Sequence, residues 1–452
     1  MLPNDPTFMA LGPFATHRRD WPNLPMVLID DIAGRLLRYD LDEYIRLHAA
    51  CKEWRNCTAG PREGLGGDLD SRVRSRRWIM LSNRTDGAGR RFLNLSTGAC
   101  ARVDLPELSA HHLETSADGL LLLRDKASHA ARLLNPLTRV LTELPPITAD
   151  LGSAYTLWTE QLRKCTRLVL AGICEETSPP SVVLLMQDPY ERAIAYARPC
   201  DQRWTVMDTE VWGSLSKSFS FSSAATLQGR FYFATREGNI LQASLRPEPR
   251  LVPVVANQAK IELSVNSYLV PPADHHRGGG DGGMLMVRYY TTLDHLSVKD
   301  RRNMKRRRNV IRLDDRTKMY RWSLIQVFEV DVAGKTLLPV EDIGRHQALF
   351  VGEAACFSLS ARTFPCVAGN AVYIGAEGVC YPPVGVRYLT DKTVDPAFQF
   401  TTEDERLLEL KNSVLKRFRV KRPELNLVPL ARPCTLQEYL VCCAGLLGGL
   451  KD

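Results

Sequence analysis

From about residue 76 to residue 380 the chain repeats one pattern: a short apolar run, then turn residues. The runs include RWIMLS, RRFLNLSTG, DGLLLLRDK, ARLLNPLTR, TRLVLAGIC, SVVLLMQD, GRFYFATREGNILQASL, MLMVRYY, QVFEVDVAGKTLLPV and NAVYIGAEGVC. They are short, rich in β-branched and aromatic residues, and bounded by Gly, Asn, Asp or Pro, which predicts strands and few helices. So many strands need an architecture that hides sheet edges. A propeller does this by radial repetition of four-stranded blades. The strand pairs recur at roughly 40–50 residues, the blade period. A large sandwich is the structural rival. The clearest predicted hairpin is Gly229–Leu241, with Gly238 and Asn239 as residues that tolerate positive φ.

The ends of the chain read differently. Residues 1–20 hold three prolines and little periodicity and are expected to be disordered. Residues 21–57 read as a helical module. Leu24-Pro25 opens a helix, and Leu28, Ile32 and Leu36, with Ile29 beside them, form a continuous apolar stripe. Asp40 is placed to cap a second helix, with Glu43 three residues on. Tyr44, Leu47 and Ala50–Cys51 supply its apolar face, and Trp54 closes the module. A stretch of this size cannot bury a stable core alone. It either caps its neighbour or offers its face to a partner. Residues 58–71 are a Gly-, Pro- and charge-rich linker, and 72–400 are assigned to the β region. Residues 401–452 are a C-terminal helix and tail. Thr402 and Glu405 form a capping pattern before Leu407, Leu410, Val414 and Phe418, and the apolar end is short and glycine-interrupted, a tail rather than a membrane anchor.

Composition narrows the classes. The 452 residues allow two to four domains, and 44% apolar with 24% charged residues is ordinary for a folded chain. Mean hydropathy is −0.19. No apolar run is long enough for a membrane helix. The balance of 59 basic against 51 acidic residues, +8, permits a nucleic-acid partner without requiring one. The twelve cysteines are scattered without a C-x-x-C pair, so no zinc cage is expected. The N-terminus places its apolar residues before its basic ones, the reverse of a secretory signal. Reduced thiols in the nucleus or cytoplasm are the expectation.

Neither a G-x-S-x-G elbow nor a phosphate-binding P-loop occurs in the sequence. Gly278–Gly283 lacks the following Lys-Ser/Thr. His275-His276 with Asp274 and Asp281 are read as solvated residues of a loop, and His111-His112 as non-ligating, since adjacent strand residues face opposite ways. Asp30-Asp31 and Asp314-Asp315 are pairs in sequence only. No enzyme activity, cofactor or metal is expected. Residues 271–312 look like an insertion, and Lys299, Arg301, Arg302, Lys305, Arg306, Arg307 and Arg308 make a basic run within it. Three readings stand for the run: a solvated loop, a nuclear-import signal, or a contact for an acidic partner or nucleic acid. No aromatics interleave with it, which argues against nucleic acid.

Leu24-Pro25, Leu28, Ile32, Leu36, Asp40 and Cys51-Lys52-x-Trp54-Arg55 resemble an F-box, with Ala50 standing where F-boxes usually carry a larger aliphatic residue. The rest resembles the C-terminal β-propeller of plant F-box proteins of the brassinosteroid-pathway type. The segments concerned are Ser116–Leu120, Leu134–Arg139 with Leu144-Pro145-Pro146, Leu349–Gly352 with Phe357-Ser358-Leu359, and Gly369–Tyr373. The resemblance implies a mainly β chain, a small three-helix F-box followed by a propeller of six or seven blades. It implies a non-catalytic substrate receptor of an SCF-type (Skp–cullin–F-box) ubiquitin ligase. Leu24, Pro25, Leu28, Ile32, Leu36, Tyr44, Leu47, Cys51 and Trp54 would dock the Skp-family adaptor, which bridges to the cullin, and the propeller would bind a protein target of unknown identity. A propeller scaffold or regulator acting without the ligase, in the nucleus, is the alternative.

Overall fold

The computed structural model describes residues 21–39, 41–60, 69–81, 89–146, 167–187, 192–207, 221–256, 265–271, 283–291, 323–352, 355–374, 384–396 and 440. The chain divides into two compact units, Met1–Gly66 and Gly67–Asp452. The boundary falls inside the stretch read as a linker, and Leu69 and Val73 already belong to the core of the second unit.

The second unit is mainly β, with six sheets among the described residues. The first holds β1 (Trp78–Leu81), β2 (Gly89–Asn94) and β3 (Cys100–Asp104). The second holds β4 (His111–Ala117), β5 (Leu120–Asp125), β6 (Ala130–Leu134) and β7 (Leu141–Pro146), after the one-turn helix Glu107–Ala110. The third holds β8 (Arg167–Cys174), β9 (Ser181–Gln187), β10 (Arg192–Ala197) and β11 (Thr205–Val206). The fourth holds β12 (Phe221–Leu227), β13 (Arg230–Thr235), β14 (Ile240–Ser244) and β15 (Arg250–Val255). The fifth holds β16 (Val265–Val270), β17 (Leu285–Thr291), β18 (Ser323–Asp331) and β19 (Thr336–Val340). The sixth holds β20 (Gln347–Val351), β21 (Phe357–Ser360), β22 (Ala371–Ile374), β23 (Val384–Tyr388) and β24 (Val394–Pro396). Sheets two to five are antiparallel, four-stranded and wound in chain order, the pattern of propeller blades.

Six apolar clusters join the sheets in a closed ring. Trp78, Phe92, Leu121 and Leu123 join the first to the second. Leu120, Leu122, Leu184 and Met186 join the second to the third. Val183, Leu185, Phe231 and Phe233 join the third to the fourth, and Tyr232, Ala234, Leu269 and Met286 the fourth to the fifth. Val287, Tyr289, Leu349 and Val372 join the fifth to the sixth. The ring closes where Leu81 and Leu93 of the first sheet meet Phe350, Phe357 and Tyr373 of the sixth. Alternate residues of one strand therefore serve opposite seams. This is why LLLL, VVLLM and ALFV read as unbroken apolar runs: a strand buried on both faces has no polar side to show.

Two kinds of turn set the register. Asp118-Gly119 and Gln228-Gly229 have positive φ at both positions and join strands paired at Ala117↔Leu120 and Leu227↔Arg230, which makes them type I′ hairpins. A longer turn recurs after Asn94, Asp125, Asn135 and Asp331. In each, the side-chain oxygen accepts backbone N–H groups two or three residues on, and the fourth residue on (Gly98, His129, Arg139, Lys335) takes positive φ. In the predicted hairpin, Gly238 has positive φ, at 87°. Asn239 does not. It is buried, and its amide reaches Thr235 Oγ1 at 3.3 Å.

The first and sixth sheets depart from the four-stranded expectation. The first has three strands among the described residues, and the sixth has five, with β20 and β22 parallel. The parallel pair follows from the connection before it. Ala361 N–H donates to His346 O at 2.6 Å and Asn370 N–H to Gln347 O at 2.7 Å. Both ends of segment 361–370 thus lie at the start of β20, so β22 sets out in the same direction.

Candidate functional site

The first unit holds helices α1 (Met26–Tyr39), α2 (Leu41–Ala50) and α3 (Lys52–Cys57) after a 3₁₀ turn, Trp21–Asn23. Pro25 has no N–H to lose, and its carbonyl accepts from Leu28 N–H (2.9 Å) and Ile29 N–H (3.2 Å), so the helix begins there. α1 carries two apolar stripes side by side. Ile29, Ala33 and Leu37, spaced four apart, are 3%, 3% and 6% exposed. Leu28 and Ile32, one position earlier, are 49% and 39% exposed. Leu36 is half-buried, while Met26 and Val27 are exposed at 64% and 79% and Trp21 at 51%. The inner stripe holds the module together. The outer stripe, from Leu28 to Ile32, is a surface of large apolar side chains left in water. Burying each such side chain is worth ~1.5–3 kcal/mol.

The other predicted docking residues are placed as follows. Pro25 is exposed, and Leu24, Leu47, Cys51 and Trp54 are half-buried. Trp54 Nε1 donates to Trp21 O at 3.2 Å and ties α3 to the entry of the module. Cys51 is extended (φ −145°, ψ 141°) at the head of α3, and its thiol donates to Glu53 Oε2 at 2.8 Å, holding that carboxyl below the usual range. Tyr44 does not share the open face: it is 2% exposed, and its hydroxyl donates to Ala59 O at 2.5 Å. Asp40, the predicted cap of α2, lies outside the described residues.

A second feature sits where turns of three successive sheets meet. The Arg74 side chain is fully buried and lies 2.9 Å from Glu175 Oε1 and 3.2 Å from Asp118 Oδ2. Its Nη2 and Nε donate to Leu69 O at 2.7 and 3.1 Å. Arg76 reaches Glu175 at 3.2 Å, and Glu175 N–H donates to Gly229 O at 2.7 Å. Burial pulls the Arg74 guanidinium below its ordinary range, and its carboxylate partners oppose that. A Cβ on Gly119, whose φ is +82°, would stand 2.3 Å from the Ser75 carbonyl carbon, so the turn accepts only glycine. The cluster fixes loop ends. It leaves no nucleophile beside a base. The residue pattern along the chain carries no sign of it, because Asp118 and Glu175 lie 44 and 101 positions beyond Arg74.

The remaining candidates separate. His111 is buried, with Nδ1 2.7 Å from Glu107 O and Nε2 3.0 Å from Arg132 Nη1. It pairs with Asp125 in the sheet while His112 pairs with Arg124. Asp31 is bound to Arg35 at 3.0 Å. Burial pushes the thiols of Cys174 and Cys356 up to about 11 and about 12, which keeps them protonated and inert. Among the described residues no group of His, Cys, Asp or Glu could hold a metal, and no helix is long and apolar enough to cross a membrane. His275-His276, residues 278–282 of the glycine-rich stretch, the basic run Lys299–Arg308, Asp314-Asp315 and the helix expected after Thr402 lie outside the described residues.

Compared with known proteins, residues 92–392 match the sequence model described as KIB1-4 beta-propeller. No curated protein matches the chain. Solved structures similar to it include a Bacteroides caccae protein of unknown function, at 10% identity over 48% of this chain and 70% of that one, with a TM-score of 0.23. A post-proline cleaving enzyme from Rickettsia typhi matches at 11% identity over 50% of this chain and 33% of that one, with a TM-score of 0.25. A fructofuranosidase from Schwanniomyces occidentalis matches at 11% identity over 61% and 52%, with a TM-score of 0.24.

Proposed function

Taking as premise that the chain belongs to the KIB1-4 beta-propeller family, whose model covers two thirds of it, we propose that it is the target-recognition subunit of an SCF-type ubiquitin ligase. In this reading the helical module is an F-box that docks a Skp-family adaptor, the adaptor bridges to a cullin, and the propeller binds the target protein. The chain performs no bond chemistry. It raises the local concentration of target lysines near the charged conjugating enzyme. It works in the nucleus or the cytoplasm.

The observation that carries this reading is the pair of stripes on α1. The module spends Ile29, Ala33 and Leu37 on its own core and leaves Leu28 and Ile32 exposed. A row of aliphatic side chains on a rigid helix is the kind of centre that tight protein interfaces use, with hot spots each costing ~2 kcal/mol or more on truncation. The F-box pattern at Leu24-Pro25 and Cys51-Lys52-x-Trp54-Arg55 says which partner fits it.

Replacing Leu24 and Pro25 by Ala is expected to abolish adaptor co-purification while the β unit stays folded. Undiminished recovery of the adaptor overturns the docking assignment. A stable wild-type chain that never recruits the adaptor would instead favour a propeller scaffold working without the ligase.

A further inference from the structure

In each of the six sheets the strand that comes last in the chain is an edge strand. Five of these edges are blunted. β7 ends in Pro145-Pro146, and the Pro145 carbonyl accepts from Trp204 Nε1 at 2.7 Å. β15 holds Pro253, β19 holds Pro339 and β24 ends in Pro396. β11 is two residues long. A proline has no N–H to offer and a very short strand no ladder, so each is a poor template for a further strand. β3 is the exception: it has five residues, CARVD, and none is a proline.

The register says which groups this edge offers. Asn94 N–H donates to Ala99 O at 2.8 Å. Hydrogen-bonded pairs alternate along an antiparallel ladder, so Phe92↔Ala101 and Arg90↔Val103 are the next such pairs. The N–H and C=O groups of Cys100, Arg102 and Asp104 therefore point away from β2, and all three residues are exposed. Among the described residues no strand pairs with them. The Arg102 side chain lies back over Gly89, where an added Cβ would strike its Nε, so it covers the sheet face and leaves the edge open. The side chains beside the edge form two rows. On one face Arg102 stands directly across from Arg91, two cations that an acidic residue on a further strand would complement. On the other, Ala101 and Val103 are half-buried against the apolar cluster of Trp78, Phe92 and Leu105.

We propose that the open edge of β3 is a docking site for an extended segment of a partner protein, which adds to the first sheet as a further strand. The main-chain groups of Cys100, Arg102 and Asp104 supply the hydrogen bonds, and the two rows set the sequence. The segment carries an acidic residue opposite Arg102 and apolar residues opposite Ala101 and Val103. A second copy of this chain does not fit, since antiparallel pairing of two β3 strands about their centres sets Arg102 against Arg102. This assignment does not depend on which partner the helical module binds.

The test is amide exchange on the full-length chain, read by NMR, with the blocked peptide acetyl-Thr-Val-Glu-Val-Thr-amide as probe. Its symmetric sequence places Glu opposite Arg102 and Val opposite Ala101 and Val103 in either strand direction. At about three times the Kd found by titration, exchange at the amides of Cys100, Arg102 and Asp104 is expected to slow ~fourfold, while 250–255 and 336–340 keep their rates. A peptide with Lys in place of Glu, and one with the Glu amide nitrogen methylated, are expected to give no protection. Arg102→Glu is expected to reverse the choice, taking the Lys peptide and refusing the Glu one. No protection of β3 by the Glu peptide overturns the proposal. So does equal protection by the Glu and Lys peptides in wild type, or full protection by the N-methylated one, which would mark a charge contact without strand pairing. A dimer of the peptide-free chain that protects 100–104 overturns it as well, by giving the edge to a second copy.

Discussion

Arg74 and Glu175, 101 residues apart in sequence, meet at 2.9 Å with the arginine side chain wholly out of water and the glutamate one-third exposed. The pair ties the approach to β1 to the turn between β8 and β9, and Asp118 completes it from the turn between β4 and β5. Removing the arginine strands two carboxylates against a turn that has lost its filler. Arg74→Ala is expected to cost ~3–5 kcal/mol in urea unfolding, the range for breaking a buried pair from one side. Glu175→Gln, at a position solvent partly screens, is expected to cost under ~1 kcal/mol. Equal effects of the two would show that burial of Arg74 does not set the balance.

Gly119 makes a separate point about the same corner. Its positive φ and the 2.3 Å that would separate an added Cβ from the Ser75 carbonyl carbon act together. Gly119→Ala is expected to lower stability by more than ~1 kcal/mol, the left-handed penalty for a side-chain-bearing residue alone. The substitution Gly34→Ala, on the exposed side of α1 where nothing lies within 4 Å, is expected to be neutral or stabilising. Thermal melts of the two variants check the contrast.

Asp125 gives a pH signature. Its carboxylate accepts from the Ser128 N–H and hydroxyl and from Ala127 N–H, which hold it down to about 2. Its folded value lies below the unfolded one near 3.9, so it supports the turn above that pH and the support fades as pH falls toward 2. Carboxyl titration by NMR is expected to show Asp125 ionising near 2. Asp125→Asn, which can accept the same bonds without a charge, is expected to keep the turn between pH 4 and 2. A value near 3.9 for Asp125 would contradict the bonding described.

The two stripes of α1 can be told apart by stability. Ile29→Ala and Leu37→Ala remove buried side chains and are expected to cost ~2–5 kcal/mol in the module's unfolding. Leu28→Ser and Ile32→Ser are expected to fall within ~0.5 kcal/mol of wild type, as exposed positions do. Tyr44→Phe, which loses only the hydroxyl donated to Ala59 O, is expected to cost ~1 kcal/mol.

Much of the β unit was readable because blades bury both faces of their inner strands. Runs such as Leu120–Leu123 and Val182–Met186 announce such strands directly. The parallel β20–β22 pair was not readable, since segment 361–370 returns to the strand's start without any special composition. Nor was the Arg74 cluster, whose members are distant in sequence and ordinary in type. The stripe Leu28–Ile32–Leu36 was visible as periodicity. That Ile29, one step along, would face inward with Ala33 and Leu37, and that Tyr44 would be buried, depended on how α1 and α2 pack. Periodicity alone does not give that choice.

The central claim is that the outer stripe of α1 is kept open for the adaptor. The direct measurement is co-purification of a Skp-family adaptor with full-length wild type and with a Leu28→Asp/Ile32→Asp variant whose melting curve matches wild type. The account predicts a stoichiometric complex for wild type and none for the variant. Equal adaptor recovery from both, or none from either, would contradict it.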